Sequence, residues 1–533
     1  MSDVTTYQTI PALMDYVAEQ YADRNAVEDE GKILTYQELN QLRKQAAAAL
    51  VGMGVKEGDR IAVWAPNIWE WIVAATALQA VGAALVPLNT RMKGSEAGYV
   101  LKASGAKILF TIDEFLGSSY PAMLKDEHLP ELDTIITFRP QTDSDQTASY
   151  QRVSWDEFLG MADFSNEAEV NIRQSRVKTD TMSDLLFTSG TTGKPKGVIT
   201  QHAQNIKVVA DWSEVVGLTE GDRYLIVNPF FHSFGYKAGW LAALMRGATI
   251  LPLQVFDVPT ILQKVDEEKI TVLPGPPTLY QSILSHPDRE QYDISSLRVA
   301  VTGAAAIPVS MIQAMDEVLG FDNIVTAYGL TEVCGFATIC RPGDSPELIA
   351  NTSGRAMPGV EVRCVDEFGV EVRRGTPGEV VVRGPNVMQG YFNNDAATKE
   401  TIDADGWLHT GDIGVMDSLG YLKITDRMKD MIITGGFNVY PAEIENLMSH
   451  HNAIAQVSIV GVSDERLGEV AMAWIVKKPG QELEKKELIS WCREEMANYK
   501  VPRHVRFVEN LPLNASGKVM KFELRDRAEQ ELT

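Results

Sequence analysis

The segment Thr188-Ser189-Gly190-Thr191-Thr192-Gly193-Lys194-Pro195-Lys196-Gly197 carries the residue types that hold a polyanion. Glycines let backbone amides approach phosphate oxygens, hydroxyls donate to them, and two lysines neutralise their charge. The segment follows the apolar run Leu185 to Phe187, which reads as a buried strand. Loops after strands are where α/β sheets usually bind ligands. A merely flexible loop would account for glycine and threonine, but not for lysines alternating with proline directly after a strand. Pro195 stands where a Walker A loop needs Ser or Thr after its lysine, which argues against a P-loop kinase or GTPase.

Six further segments follow in order. They are Pro229-Phe-Phe-His232-Ser-Phe-Gly235, Gly303-Ala304-Ala305, Tyr328-Gly329-Leu330-Thr331-Glu332, Trp407-Leu-His-Thr-Gly-Asp412, Asp426-Arg427-Met-Lys429-Asp430 and Asn514-Ala-Ser-Gly-Lys518. Each has an ordinary reading when taken alone. His232 among phenylalanines reads as a core side chain, Thr331-Glu332 as a helix-capping pair, Asp412 and Arg427 as solvated charges, and Lys518 as a surface turn. A carboxylate such as Glu332 beside a triphosphate makes sense only with a bridging cation. Two anions about 4 Å apart at an effective dielectric near 20 repel by roughly 4 kcal/mol.

Together, in this order, the motifs resemble those of the adenylate-forming superfamily of acyl- and aryl-CoA synthetases, luciferases and peptide-synthetase adenylation domains. The resemblance covers Thr188 to Lys518. It implies ATP, Mg2+ and coenzyme A as cofactors or cosubstrates. It makes Thr188, Ser189, Gly190, Thr191, Thr192, Gly193, Lys194 and Lys196 the phosphate loop, and Gly303, Ala304 and Ala305 the passage along the adenine. It places Tyr328 and Gly329 at the adenine face, Thr331 at the α-phosphate, and Glu332 with Thr191 on the metal. It further implies that His232 lines the carboxylate site and that Asp412 and Arg427 hold the ribose. Lys429 becomes the hinge, Lys518 reaches the carboxylate and α-phosphate, and Gly435, Gly436 and Phe437 form the face met by pantetheine. Lys518, His232, Thr188 and Glu332 are the implied catalytic set.

Positioning these groups calls for parallel sheets. Apolar strand-like runs at Ile61 to Ala65, Ala84 to Leu88, Ile108 to Ile112, Ala248 to Leu253 and Leu297 to Thr302 alternate with helical patterns. Trp69 to Val81 reads as a helix with Asn67 as its N-cap. The polar stretch from Arg139 to Asp184 reads as a surface excursion before the core resumes at Leu185. From Gly375 the pattern shifts to short strands and Gly-rich turns, and the last hundred residues read as a small α+β unit. The expected fold is α/β: a large N-terminal domain (1–427) of helix-covered, mostly parallel sheets with a small β-barrel-like subdomain, a hinge at 428–430, and a mobile α+β C-terminal domain (431–533).

Forty-nine basic against 72 acidic side chains leave a net charge of -23, which argues against affinity for nucleic acid or anionic membrane. No stretch reads as a leader or spanning helix, and four scattered cysteines read as reduced thiols. A cytoplasmic enzyme acting on a small molecule is expected; a homodimer is compatible with the sequence.

Acyl selectivity, by the resemblance, comes from the segments after His232 and after Glu332. Tyr236, Trp240, Val333, Cys334 and Phe336 offer a wall for a bulky group. Lys237 either meets a carbonyl or other polar group of the acid, or snorkels outward. The runs PFFHSFGYKAGWLAALMRGAT and ITDRMKDMIITGGFNVYPAEIE are similar to bacterial acyl-CoA synthetases of steroid catabolism, which implies a bulky alicyclic propanoate with ring ketones. Medium-chain and aryl acids are the alternatives. A carrier-loading adenylation enzyme would want an acidic residue between Tyr224 and Tyr236, and none is present. A luciferase-like oxygenase shares the motifs. A degenerate nucleotide-binding regulator would have lost residues that are all here.

Overall fold

In the computed structural model of the chain, the described residues are 7–140, 150–163, 166–188, 195–303, 307–434, 437–464, 466–513 and 518–532. The chain forms two compact units. One comprises Met1–Val362 and Val382–Leu408, the other Arg363–Val381 and His409–Thr533.

The first unit is built on an eight-stranded sheet in the order Gly390–Tyr391, Lys196–Gln201, Met182–Thr188, Ala84–Pro87, Arg60–Trp64, Ile108–Ile112, Thr134–Phe138, Gln151–Ser154. From Met182–Thr188 onward the neighbours are parallel, whereas Lys196–Gln201 pairs antiparallel on both sides. The helix Trp69–Ala80 is buried from Glu70 to Ala80, as an alanine-rich sequence apolar on all sides requires. A second group of strands decides where chemistry can sit. Arg223–Ile226 reaches Val299–Gly303 through parallel bridges at Val272, and Val299–Gly303 runs parallel to Asn323–Tyr328. Their carboxyl ends therefore share one edge, and His232, Gly303 and Tyr328 all follow from that edge.

Two expectations are corrected. Asn67 does not cap the helix that begins at Trp69, whose N-cap is Ile68. Its side chain instead donates to the carbonyls of Ile226 and Asn228 at 3.1 and 2.9 Å and accepts from the Phe230 amide at 2.8 Å. It thus fastens the segment leading to His232. Nor is Arg139 to Asp184 a surface excursion. It supplies the sheet's last strand, helices Trp155–Gly160 and Glu167–Arg176, and the buried Trp155, Phe158, Ser183 and Asp184. Arg139 itself pairs with Asp29 at 2.8 Å and Glu70 at 2.7 Å, so its charge marks an ion-pair cluster rather than open surface.

Most of a four-stranded sheet of Glu361–Val365, Pro377–Arg383, Leu408–Met416 and Leu422–Arg427 belongs to the second unit. After it, the hairpin Ile454–Asp464 with Gly468–Lys477 pairs Val460 with Met472, and His504–Phe507 adds in parallel. Helix Pro441–Ser449 starts on its proline and buries Ile444 and Met448, while Leu488 and Cys492 are buried on Lys485–Glu495. All four cysteines are free and buried. Among the described residues no helix is long and apolar enough to cross a membrane.

Asp426 joins the two parts of this unit. One carboxylate oxygen accepts from the Ala442 amide at 2.9 Å, in the first turn of Pro441–Ser449, and the other from the Arg427 amide at 2.7 Å. Burial pushes its pKa up to about 6, against the pull of both amides and of Lys521, with Glu445 adding to the rise. A carboxyl whose pKa is higher folded than unfolded favours folding below the ordinary aspartate range and loses that contribution as pH rises to about 6. Asp426→Asn is therefore expected to flatten the decline in stability between pH 4 and 7 by on the order of 1–3 kcal/mol. Denaturant unfolding of both proteins across that range checks it; parallel curves would contradict the assignment.

Candidate active site

Thr188 ends one strand and Lys196 begins the next, paired with each other across an antiparallel hairpin. Ser189, Gly190, Thr191, Thr192, Gly193 and Lys194 lie outside the described residues. At the stem, the Tyr99 hydroxyl donates to the Pro195 carbonyl at 3.1 Å. The Lys196 ammonium sits 4.5 Å from the centre of the Tyr391 ring. The Tyr391 hydroxyl donates to Glu332 Oε1 at 3.0 Å, and the Met388 amide donates to the Glu332 carbonyl at 2.8 Å. Burial, then the neighbouring Glu332 charge, raise the Tyr391 pKa, so the phenol stays a donor. The loop's basic stem and the acid of the Tyr-Gly motif are thus joined through one tyrosine. Sequence reasoning missed Tyr391; its only signal was a tyrosine after glycine in a turn-rich stretch.

Gly303 ends its strand with φ +156°, and a Cβ there would lie 2.9 Å from the Ala327 carbonyl on the neighbouring strand. Ala304 and Ala305 lie outside the described residues. Tyr328 ends the adjacent strand, half-buried. Gly329 has no room for a side chain, since a Cβ would meet the Gly335 carbonyl at 2.0 Å. This tight crossing delivers Thr331 and Glu332 on a short turn, Thr331–Val333. His232 is exposed rather than a core side chain. Its Nδ1 accepts from the Phe234 amide at 3.2 Å, which leaves the proton on Nε2.

The acyl-wall candidates are all buried. Tyr236, Lys237 and Trp240 lie on the helix Phe234–Leu241, with Tyr236 and Trp240 stacked at 4.7 Å. Val333, Cys334 and Phe336 are buried on the segment after Glu332, and Phe336 lies against Trp212. Lys237 does not snorkel outward: it is 0% exposed and paired with Asp184 at 3.4 Å. Asp184 escaped the sequence reading because a charge ahead of an apolar run looks like a strand's polar flank.

Within the second unit, Asp412 and Arg427 face each other across adjacent strands, with Arg427 Nε 3.2 Å from Asp412 Oδ1. Asp412 is buried and Arg427 exposed. Glu379, another residue missed, accepts from the Gly411 amide at 3.1 Å and holds the strand entering Asp412. Lys518 is exposed on one side and crowded by protein on the other. That crowding and then the Arg427 charge lower its pKa, and Asp412 opposes them. Asp412, Arg427 and Lys518 are therefore electrostatic neighbours. Lys429 is exposed on the turn Met428–Asp430, with its pKa lowered mainly by desolvation. Gly435 and Gly436, between strands Ile432–Thr434 and Phe437–Val439, lie outside the described residues, and Phe437 begins the second strand.

The carboxyl ends of parallel strands thus gather a phosphate-loop stem, a flat tyrosine and an oriented carboxylate. Against known proteins, the AMP-binding enzyme family matches residues 14–392, and its C-terminal domain matches residues 443–518. The chain belongs to the AMP-binding enzymes. It is an ATP-dependent, AMP-forming acid–CoA ligase. It is 47% identical, over 97% of its length and 98% of the relative, to the 3-[(3aS,4S,7aS)-7a-methyl-1,5-dioxo-octahydro-1H-inden-4-yl]propanoyl:CoA ligase of Rhodococcus jostii. It is 46% identical to the ligase of the same name from Mycobacterium tuberculosis, over 98% of this chain and 99% of the other. Among solved structures, an anthranilate CoA ligase in complex with anthranoyl-AMP superposes with a TM-score of 0.87 at 27% identity, covering 99% and 98% of the two chains.

Proposed function

We propose that this ligase activates a bulky alicyclic propanoate bearing ring ketones and transfers it to coenzyme A. The observation that carries the acid is the full-length 46–47% identity to two ligases named for a dioxo-octahydroindenyl propanoate. An aromatic wall of Tyr236 and Trp240 beside a buried ammonium supports a rigid ring with a polar group over a plain alkyl chain.

A carboxylate attacking an α-phosphate is anion meeting anion, so positioning and electrostatics do most of the work. Lys194, Lys196 and Lys518 relieve that repulsion, Tyr328 presents a flat face to adenine, and Asp412 accepts from the ribose hydroxyls. Glu332, with one oxygen held by Tyr391, and the Thr191 hydroxyl are hard oxygen donors suited to Mg2+. Bound there, the ion would offset charge on the triphosphate. Attack breaks the α–β phosphate bond, releases pyrophosphate and leaves the acyl-adenylate. The coenzyme A thiol then attacks the acyl carbonyl and AMP departs. For that second step, a change of conformation at Lys429 withdraws Lys518 and presents Gly435, Gly436 and Phe437. We place the enzyme in the cytoplasm.

Pyrophosphate release across a panel of acids tests the choice of substrate. The keto-alicyclic propanoate should exceed octanoate and benzoate in kcat/KM by roughly tenfold or more, the scale of one buried polar contact. Vigorous turnover of octanoate without response to any alicyclic acid would end this reading.

A further inference from the structure

Asp184 lies at the centre of a buried polar network on an otherwise apolar sheet and is 0% exposed. Its carboxylate accepts from the Ser183 hydroxyl at 2.7 Å, the Thr200 hydroxyl at 2.6 Å and the Asn205 amide at 2.6 Å. The carboxylate is well supplied. Its partner is not. The Lys237 ammonium has three donors, but its polar contacts among the described residues are Asp184 at 3.4 Å and Thr200 Oγ1 at 3.2 Å, with the Tyr236 ring centre 5.8 Å away. Both polar contacts are long beside the roughly 2.7–2.9 Å of a good charge-assisted bond.

One helical turn earlier stands Ser233, 3% exposed, whose hydroxyl has no hydrogen-bond partner among the described residues. Residues four apart on a helix share a face, so Ser233 and Lys237 present two unspent donors on one side. That side meets the other acyl-selectivity segment: a Cβ on Gly335 would lie 3.1 Å from the Ser233 Cβ, and the Cys334 thiol feels the Lys237 charge. The packing beside it is aromatic, with Trp240 edge-on to Trp71 at 5.9 Å. A purely structural ion pair would explain Asp184, but not the idle hydroxyl or the loosely held ammonium.

We propose that the Lys237 ammonium and the Ser233 hydroxyl form a two-donor subsite for a ring carbonyl of the acid, remote from its carboxylate. Asp184 is the positioning residue that anchors the lysine on this face. This rests on the keto-alicyclic reading of the substrate given above.

The test uses the full-length enzyme and a matched pair of acids, an octahydroindenyl propanoate with its two ring ketones and the same ring without them. The readout is the ratio of kcat/KM for the two. Wild type favours the keto acid. Lys237→Met lowers the ratio by on the order of 10- to 100-fold, and Ser233→Ala by about tenfold, whatever happens to absolute rates. Ser233→Ala leaves the ion pair intact, so it decides the matter if Lys237→Met strands Asp184 and fails to fold. A ratio near one in wild type, or unchanged in Ser233→Ala, overturns the subsite while leaving the choice of acid standing. A wild type that turns over neither ring acid but does turn over octanoate overturns the choice of acid itself.

Discussion

Lys518→Ala slows acyl-adenylate formation by roughly two to three orders of magnitude, the scale of one lost charge-stabilising donor, while thioester formation from supplied acyl-adenylate continues. The split follows from where the charge is needed. Only in the first step do a carboxylate and a triphosphate have to approach one another; in the second, a thiol meets a neutral carbonyl. Lys518 is exposed and lies in the field of Arg427 and Asp412, the pair read as holding the ribose. Crowding and Arg427 lower its pKa, which makes the ammonium easier to discharge than a free lysine and favours placing it against an anion. Pyrophosphate exchange reports the first step, and coenzyme A-dependent consumption of synthetic acyl-adenylate reports the second. Equal loss in both would remove the assigned role.

Lys429→Pro has the opposite profile: pyrophosphate exchange is spared and turnover to thioester falls by roughly two orders of magnitude or more. The magnitude follows from confining φ near -65° at the residue proposed to change conformation. The conformer described here is fastened on both sides of that residue. Asp426, before it, accepts from Ala442 after it, and Asp430 pairs with Arg525 on the C-terminal helix Lys521–Leu532. The same conformer keeps Lys518 near Arg427 and Asp412, as its proposed role in adenylation requires. Stopping the change should therefore trap the first-step enzyme. A variant equally active in both assays would take the hinge out of the account.

The sequence was most informative where local chemistry and local structure coincide. The apolar runs that read as strands lie within about three residues of the strands observed, because buried parallel strands need continuous apolar sequence. The motif glycines were legible for a related reason: Gly329 has no space for a Cβ and Gly303 little. What stayed hidden depends on long-range partners. Asn67 sits in front of a helix as an N-cap would, yet its amide is used about 160 residues away at Asn228 and Phe230. Asp184 and Lys237 are 53 positions apart and each looks like ordinary surface charge until the sheet and the following helix bring them together. Tyr391 acts on Glu332 only because a two-residue strand adds to the sheet edge beside Lys196. None of these pairings has a local pattern to betray it. The compact units also divide the chain at Val362, Val381 and Leu408, places where the β-rich sequence shows no break in composition.

Acid-dependent exchange of labelled pyrophosphate into ATP by the purified chain, with magnesium and no coenzyme A, is the most direct test of acid activation. Exchange that appears only with a suitable carboxylic acid, and collapses in Lys518→Ala, is the result expected. An enzyme that folds and binds ATP but exchanges no pyrophosphate with any acid in the panel would contradict it.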